Sequence, residues 1–158
     1  MDSVIGTVGG KSLLTIHFVE SSLMLAFLRD ANTSQSVIDI FNAMDKILGP
    51  ELFEKLFPVI LTDNGSEFSN PRAIEYRETA PRGYSYHRTN VFYCDAGSPY
   101  QKGAIEVNHE LIRRILPKGT CFDHLTQKDI FLMTLLIFGM DLIQQEIQSV
   151  LHLPQMVS

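Results

Sequence analysis

The sequence predicts an α/β fold built on a mixed sheet, and three observations carry that prediction. Apolar runs at 3–7, 12–19 and 23–28, punctuated by Gly9-Gly10 and by Glu20-Ser21-Ser22, have the lengths and turn signals of a three-strand meander. An amphipathic helical repeat follows at once. Two further short apolar strands, 59–61 and 91–94, then alternate with helical sequence, and strands joined through helices run parallel. Five strands in one mixed sheet with flanking helices is the expected arrangement. The chain of 158 residues, 45% of them hydrophobic, is long enough for one domain with a real core.

Each element has its own local cause. Asn32-Thr33-Ser34 supplies capping side chains, after which Val37, Ile38, Phe41, Met44, Ile47 and Leu48 recur at helical spacing until Gly49-Pro50 ends the pattern. A short helical piece at 52–57 precedes Pro58, which opens the strand Val59-Ile60-Leu61. That strand ends at Thr62-Asp63-Asn64-Gly65 and so delivers a carboxylate to its C-terminal tip. Residues 66–90 are polar, punctuated by Pro and Gly, and carry four arginines, which predicts a long connection with one helical turn near 73–78. Gly97-Ser98-Pro99 then turns into a helix over 102–116 with Ala104, Ile105, Leu111, Ile112 and Ile115 on its buried side. Glu106, His109, Glu110 and Arg113 share the opposite face. A last helix starts near Thr126, with Asp129 three residues on as its capping partner, and runs to about 149. Its block 130–140 places apolar residues all round the helix, more than one sheet face covers, which leaves burial in the monomer or a homodimer contact as explanations.

Composition narrows the partners. Thirteen Lys and Arg against eighteen Asp and Glu give a net charge of −5, too acidic for a polybasic nucleic-acid clamp. The charge is unevenly spread, however: 71–118 holds eight bases and five acids, whereas the rest holds five bases and thirteen acids. One face is thereby suited to a polyanion. Cys94 and Cys121 stand far apart with no second pair, which fits reduced, core thiols in a cytoplasmic protein. No secretory signal is visible and the longest apolar run is too short to span a bilayer, so no membrane role is expected.

Three carboxylates can meet without forcing this fold: Asp2 in the first strand, Asp63 at the tip of the fourth and Glu106 on the helix after the fifth. Converging acids are what Mg²⁺ requires, as a hard cation that takes oxygen ligands and keeps positions for water and phosphate oxygens. Two such ions, about 3.5–4 Å apart, would serve the two sides of a phosphodiester displacement. Asp-Asn-Gly is equally a good turn, and a Glu on a polar helix face is commonly solvated, so spacing alone leaves both readings open.

The stretch Thr62-Asp63-Asn64-Gly65-Ser66-Glu67-Phe68-Ser69-Asn70-Pro71, then Phe92-Tyr93-Cys94-Asp95, then the run from Gln101 through Lys102, Glu106, Asn108, Arg113 and Pro117 to Thr120 resembles the integrase core of bacterial insertion-sequence transposases of the IS-thirty type. Asp2-Ser3-Val4-Ile5-Gly6 resembles that family's first-aspartate strand. The resemblance implies a ribonuclease-H-like fold over 1–133, with Asp2, Asp63 and Glu106 as catalytic and metal-binding residues for Mg²⁺ or Mn²⁺, two ions with DNA bound. It implies a polynucleotidyl transferase that cleaves DNA at transposon ends and joins the freed 3′-hydroxyl to target DNA. By the same resemblance Asn64, Gln101, Lys102, Asn108 and Arg113 contact DNA, Lys102 foremost as a flexible cation one turn before Glu106.

The sequence departs from that pattern in two places. The family's helix-turn-helix region has no counterpart before Asp2, and after Met133 the polar segment of the family gives way to an apolar helical tail, 134–158, expected to belong to the same domain. These departures support an alternative expectation, a truncated transposase fragment that folds and self-associates without catalysis. A reading-frame shift near Met133 and ordinary divergence both account for the tail.

Overall fold

The computed structural model describes residues 1–79, 84–95 and 103–151, the side chains of 78, 79, 84 and 140–151 excepted. The meander forms as expected: β1 (Asp2–Ile5), β2 (Ser12–His17) and β3 (Met24–Arg29) pair antiparallel in the order β1-β2-β3, with Asp2 opposite Thr15 and Leu14 opposite Phe27. The central strand is buried on both faces. Leu14 and Ile16 join one core, and Leu13 joins another on the opposite side of the sheet, as alternation along a strand requires.

The first core is closed by α1 (Ser34–Leu48) and α2 (Pro50–Leu56). Thr33 caps α1 by accepting from the Ser36 amide at 3.2 Å, and Ser36 Oγ accepts in return from the Thr33 amide at 3.4 Å. Gly49 stops the helix at φ 77°, a conformation that favours glycine, and Pro50 opens the next one. Val37, Ile38, Phe41 and Met44 face inward, where Phe41 meets Phe53 and Phe57 edge-on at 6.3 and 6.2 Å.

Downstream, β4 (Val59–Thr62) pairs in parallel with β7 (Asn90–Tyr93), also as expected. The meander and this pair form separate ladders among the described residues, so the single five-stranded sheet is not shown; the Met1 nitrogen, donating to the Leu61 carbonyl at 2.5 Å, links them beside β1.

Residues 66–90 are more ordered than a loop. They contain a 3-10 turn (Ser66–Phe68), α3 (Pro71–Glu75) and a hairpin of β5 (Tyr76–Thr79) with β6 (Tyr84–His87). The reason is ionic. Arg88 is fully buried, donating to Asp45 Oδ2 at 3.1 Å, Asn42 Oδ1 at 2.9 Å and the carbonyls of Ile74 and Ala73 at 2.8 and 3.2 Å. Arg77 reaches the same Asp45 carboxylate at 2.8 Å and Glu54 at 3.0 Å. Arginines that read as surface charge thus pin the hairpin to α1 and α2.

The second core lies under α4 (Gly103–Ile115) and α5 (Gln127–Leu151), where Ile105, Ile112, Ile130, Met133 and Phe138 pack against Val4, Leu13 and Met24. Three expectations need correcting here. Ala104 and Ile115 are exposed rather than buried, because the inward stripe of α4 is the narrower one through Ile105 and Ile112. The apolar block of α5 is divided, with Ile130, Met133 and Phe138 inside and Phe131, Leu132, Leu135 and Leu136 outside. Cys94 is half-buried and Cys121 exposed, so neither is a core thiol. The cap of α5 is as expected: the Thr126 amide and hydroxyl both donate to Asp129 Oδ2, at 2.8 and 2.7 Å. Gln127 then covers the free edge of β3, accepting from the Leu28 amide at 2.7 Å and donating to the Ala26 carbonyl at 3.0 Å. Among the described residues no helix is long and apolar enough to cross a membrane.

Candidate active site

The bond from Met1 to the Leu61 carbonyl sets β1 against β4, so Asp2, one residue on, and Asp63, just past the end of β4, belong to neighbouring strand ends. Asp2 Oδ1 accepts from the Ser3 amide at 2.7 Å, while its Oδ2 stands 3.9 Å from His109 Nδ1 on α4. The imidazole is fixed at its other nitrogen, with Nε2 at 2.7 Å from Thr15 Oγ1. That hydroxyl has a single proton, which it donates to the Asp2 carbonyl at 3.0 Å, so it accepts from Nε2–H and leaves Nδ1 facing the Asp2 carboxylate. Asp2 is thus held from β2, its register partner, through its carbonyl, while its carboxylate faces His109 of α4, an ion pair when the imidazole is protonated.

Asp63 is held differently. Its Oδ1 accepts from the Gly65 amide at 3.0 Å, an Asx-turn that orients the carboxylate at the strand tip. Gly65 is closely approached: a Cβ there would lie 2.6 Å from Glu67 Oε2 and 3.1 Å from Asp63 Oδ1. Glu67 itself is buried, with 8% of its surface exposed.

Glu106 projects from the first turn of α4, one turn before His109. With His109, Glu110, Arg113, Arg114 and Lys118 it lines an open cleft of about 520 Å³, the shared polar face that the helical spacing predicts. Asn108 is half-buried on the same helix and Asn64 is exposed beside Asp63. Arg113 donates to the Ile5 carbonyl at 2.8 Å, fastening α4 to the end of β1, and burial draws its guanidinium down from the ordinary value. Gln101 and Lys102 lie outside the described residues. Sequence reasoning missed Thr15 and Arg29 as supports of the site. Glu67 stood within the quoted motif, but an exposed-looking acid in a turn gave no sign of burial.

Carboxylate oxygens suit a hard divalent cation, and Asp2, Asp63 and Glu106 are carboxylates on the expected elements. The fit is one of donor chemistry, since the described residues contain no ready group of three His, Cys, Asp or Glu side chains able to hold an ion.

No family model matches the chain. Over 130 residues, 82% of its length, it is 33% identical to a protein of Spiroplasma virus SpV1-R8A2 B named "Putative integrase ORF3". The chain spans 37% of that relative's length. Most of the sequence that forms both cores and the strand tips is thus similar to an integrase-like protein.

Proposed function

We propose that this chain is the catalytic core of a metal-dependent enzyme that cleaves and joins DNA strands, an Asp, Asp, Glu transposase or integrase core of the insertion-sequence IS-thirty type on a ribonuclease-H-like sheet. The observation that carries the reading is the 130-residue similarity to the viral integrase-like protein, together with the motif around Asp63 and Glu106. Asp2, Asp63 and Glu106 would hold Mg²⁺ or Mn²⁺, two ions with DNA bound. Bound there, such ions supply a lowered pKa at the attacking water or 3′-hydroxyl and charge stabilisation at the leaving oxygen.

The protein's own groups prepare that site. His109 and Thr15 hold β1 and α4 together around Asp2, and the Gly65 amide turns Asp63 to the strand tip. Glu106 and Glu110 share their cleft with Arg114 and Lys118, cations that would bind phosphate there. Lys102, Gln101, Asn64, Asn108 and Arg113 are proposed DNA contacts as well, Arg113 with one arm already engaged at Ile5. A net charge of −5 makes the DNA affinity of this core modest and strongly salt-dependent.

The test is a Mn²⁺ titration with a pre-cut DNA end, scoring strand transfer, beside calorimetry of Mn²⁺ binding without DNA. Wild type should bind Mn²⁺ and join strands, and Asp63→Asn and Glu106→Gln should do neither while keeping the native circular dichroism spectrum. Equal Mn²⁺ affinity in wild type and Asp63→Asn would end the triad assignment.

A further inference from the structure

Two buried charged residues go unused by the proposed chemistry. Glu67 sits in the 3-10 turn, 8% exposed, a position that acids rarely take. Its turn is clamped: Phe68 is wholly buried in the first core, the Phe68 amide donates to the Gly65 carbonyl at 2.9 Å, and the Tyr93 hydroxyl donates to the Phe68 carbonyl at 2.5 Å. The opposing charge is Arg29 at the end of β3, 3% exposed. Its guanidinium donates to Ser3 Oγ at 2.8 Å, Asn32 Oδ1 at 2.6 Å and Ser36 Oγ at 3.3 Å, all neutral acceptors, and among the described residues its Nε has no hydrogen-bond partner. Burial pulls Arg29 down to about 10, and the field of Glu67 works against that pull. Arg29 reaches β1 next to Asp2 through Ser3.

We infer that Glu67 is a positioning residue for Asp63: its carboxylate packs against Gly65 and keeps the Asp63 side chain turned onto the Gly65 amide. A Cβ at position 65 would stand 2.6 Å from Glu67 Oε2 and 3.1 Å from Asp63 Oδ1, so a side chain there would push the Glu67 carboxylate away. A carboxylate one methylene shorter would withdraw from Gly65 and free the Asp63 turn, whereas a glutamine would keep the shape and lose the charge. The role matters to catalysis only through the proposed function of Asp63; the geometry stands apart from it.

The experiment compares Glu67→Asp and Glu67→Gln by amide hydrogen exchange at Gly65, with Mn²⁺ calorimetry as a second readout. In Glu67→Asp the Gly65 amide should exchange about tenfold faster than in wild type, whereas Glu67→Gln, which keeps the length and shape, should stay within about threefold. Mn²⁺ affinity should fall in Glu67→Asp and be largely kept in Glu67→Gln. Wild-type protection in Glu67→Asp, or equal loss in both variants, overturns the inference. Should Glu67→Asp fail to fold, Gly65→Ala decides by the same exchange readout at position 65: faster exchange supports the close packing, and unchanged exchange overturns it. A wild type that binds no Mn²⁺ defeats the proposed function alone, because the exchange readout still decides the role of Glu67.

Discussion

At the scale of single residues, burial changes what a charge does. The bases of the segment 71–118 suit a polyanion on paper, yet Arg77 and Arg88 are tied to Asp45, and Arg113 to Ile5. Removing one member of a buried pair leaves the other charged and undersolvated, so Asp45→Asn should cost about 3–5 kcal/mol in urea unfolding, with two arginines losing a shared partner. The same logic separates DNA contacts from supports. Arg114→Ala and Lys118→Ala, on the exposed cleft, should each weaken DNA binding across all sequences and lower the salt slope by about 1, measured by anisotropy at several salt concentrations. Arg113→Ala should weaken DNA binding too and, unlike those two, also lower the urea midpoint, because Arg113 fastens α4 to the Ile5 carbonyl. Thr62-Asp63-Asn64-Gly65 was legible as a turn bearing a carboxylate. The burial of Glu67 and Arg29 was not, because it follows from Phe68, Ser3 and Asn32 closing around them, contacts that no local pattern contains.

Among the elements, α5 is the one whose surroundings its sequence describes least. Its capping residues were readable because a cap is local, and Asp129 carries the consequence. Hydrogen bonds from the Thr126 hydroxyl and then the Thr126 amide hold the Asp129 carboxyl below the ordinary carboxylate value. A lowered folded-state pKa means stability that is present at neutral pH and lost as pH falls through the folded value. The gap in thermal midpoint between wild type and Asp129→Asn should therefore be open at pH 7, narrow as pH falls below the ordinary carboxylate range, and close only once the folded carboxylate is protonated. The apolar stripe of the same helix was ambiguous in sequence because both faces are apolar, and tertiary packing chose one. Ile130→Ala should cost about 2–5 kcal/mol, whereas Leu136→Glu, at a position 71% exposed, should stay within about 0.5 kcal/mol of wild type in urea unfolding. Sedimentation of Leu136→Glu beside wild type then tests self-association through this stripe without the ambiguity of an unfolded variant.

For the whole molecule, the order of elements was legible from apolar runs and turn signals, and so were the meander and the parallel pairing of β4 with β7. The hairpin of β5 and β6 was hidden by its polar composition, since buried ion pairs and hydrogen bonds rather than apolar alternation anchor it. The proposed triad was legible by motif, whereas its support from His109 and Thr15 depends on α4 lying across β2 and required the three-dimensional arrangement. That arrangement has a kinetic corollary in the bond between Met1 and Leu61. It spans 60 positions of sequence, and β4 finds β7 only after the intervening α3 and hairpin, whereas the meander closes through short turns. Chain closure over long separations loses more entropy before any contact repays it, so the meander should nucleate and the docking of β4 should come late. In stopped-flow refolding, Leu14→Ala should slow folding while Ile60→Ala should mainly hasten unfolding. The strand ends bearing Asp2 and Asp63 would then come together in the last step of folding and part in the first step of unfolding.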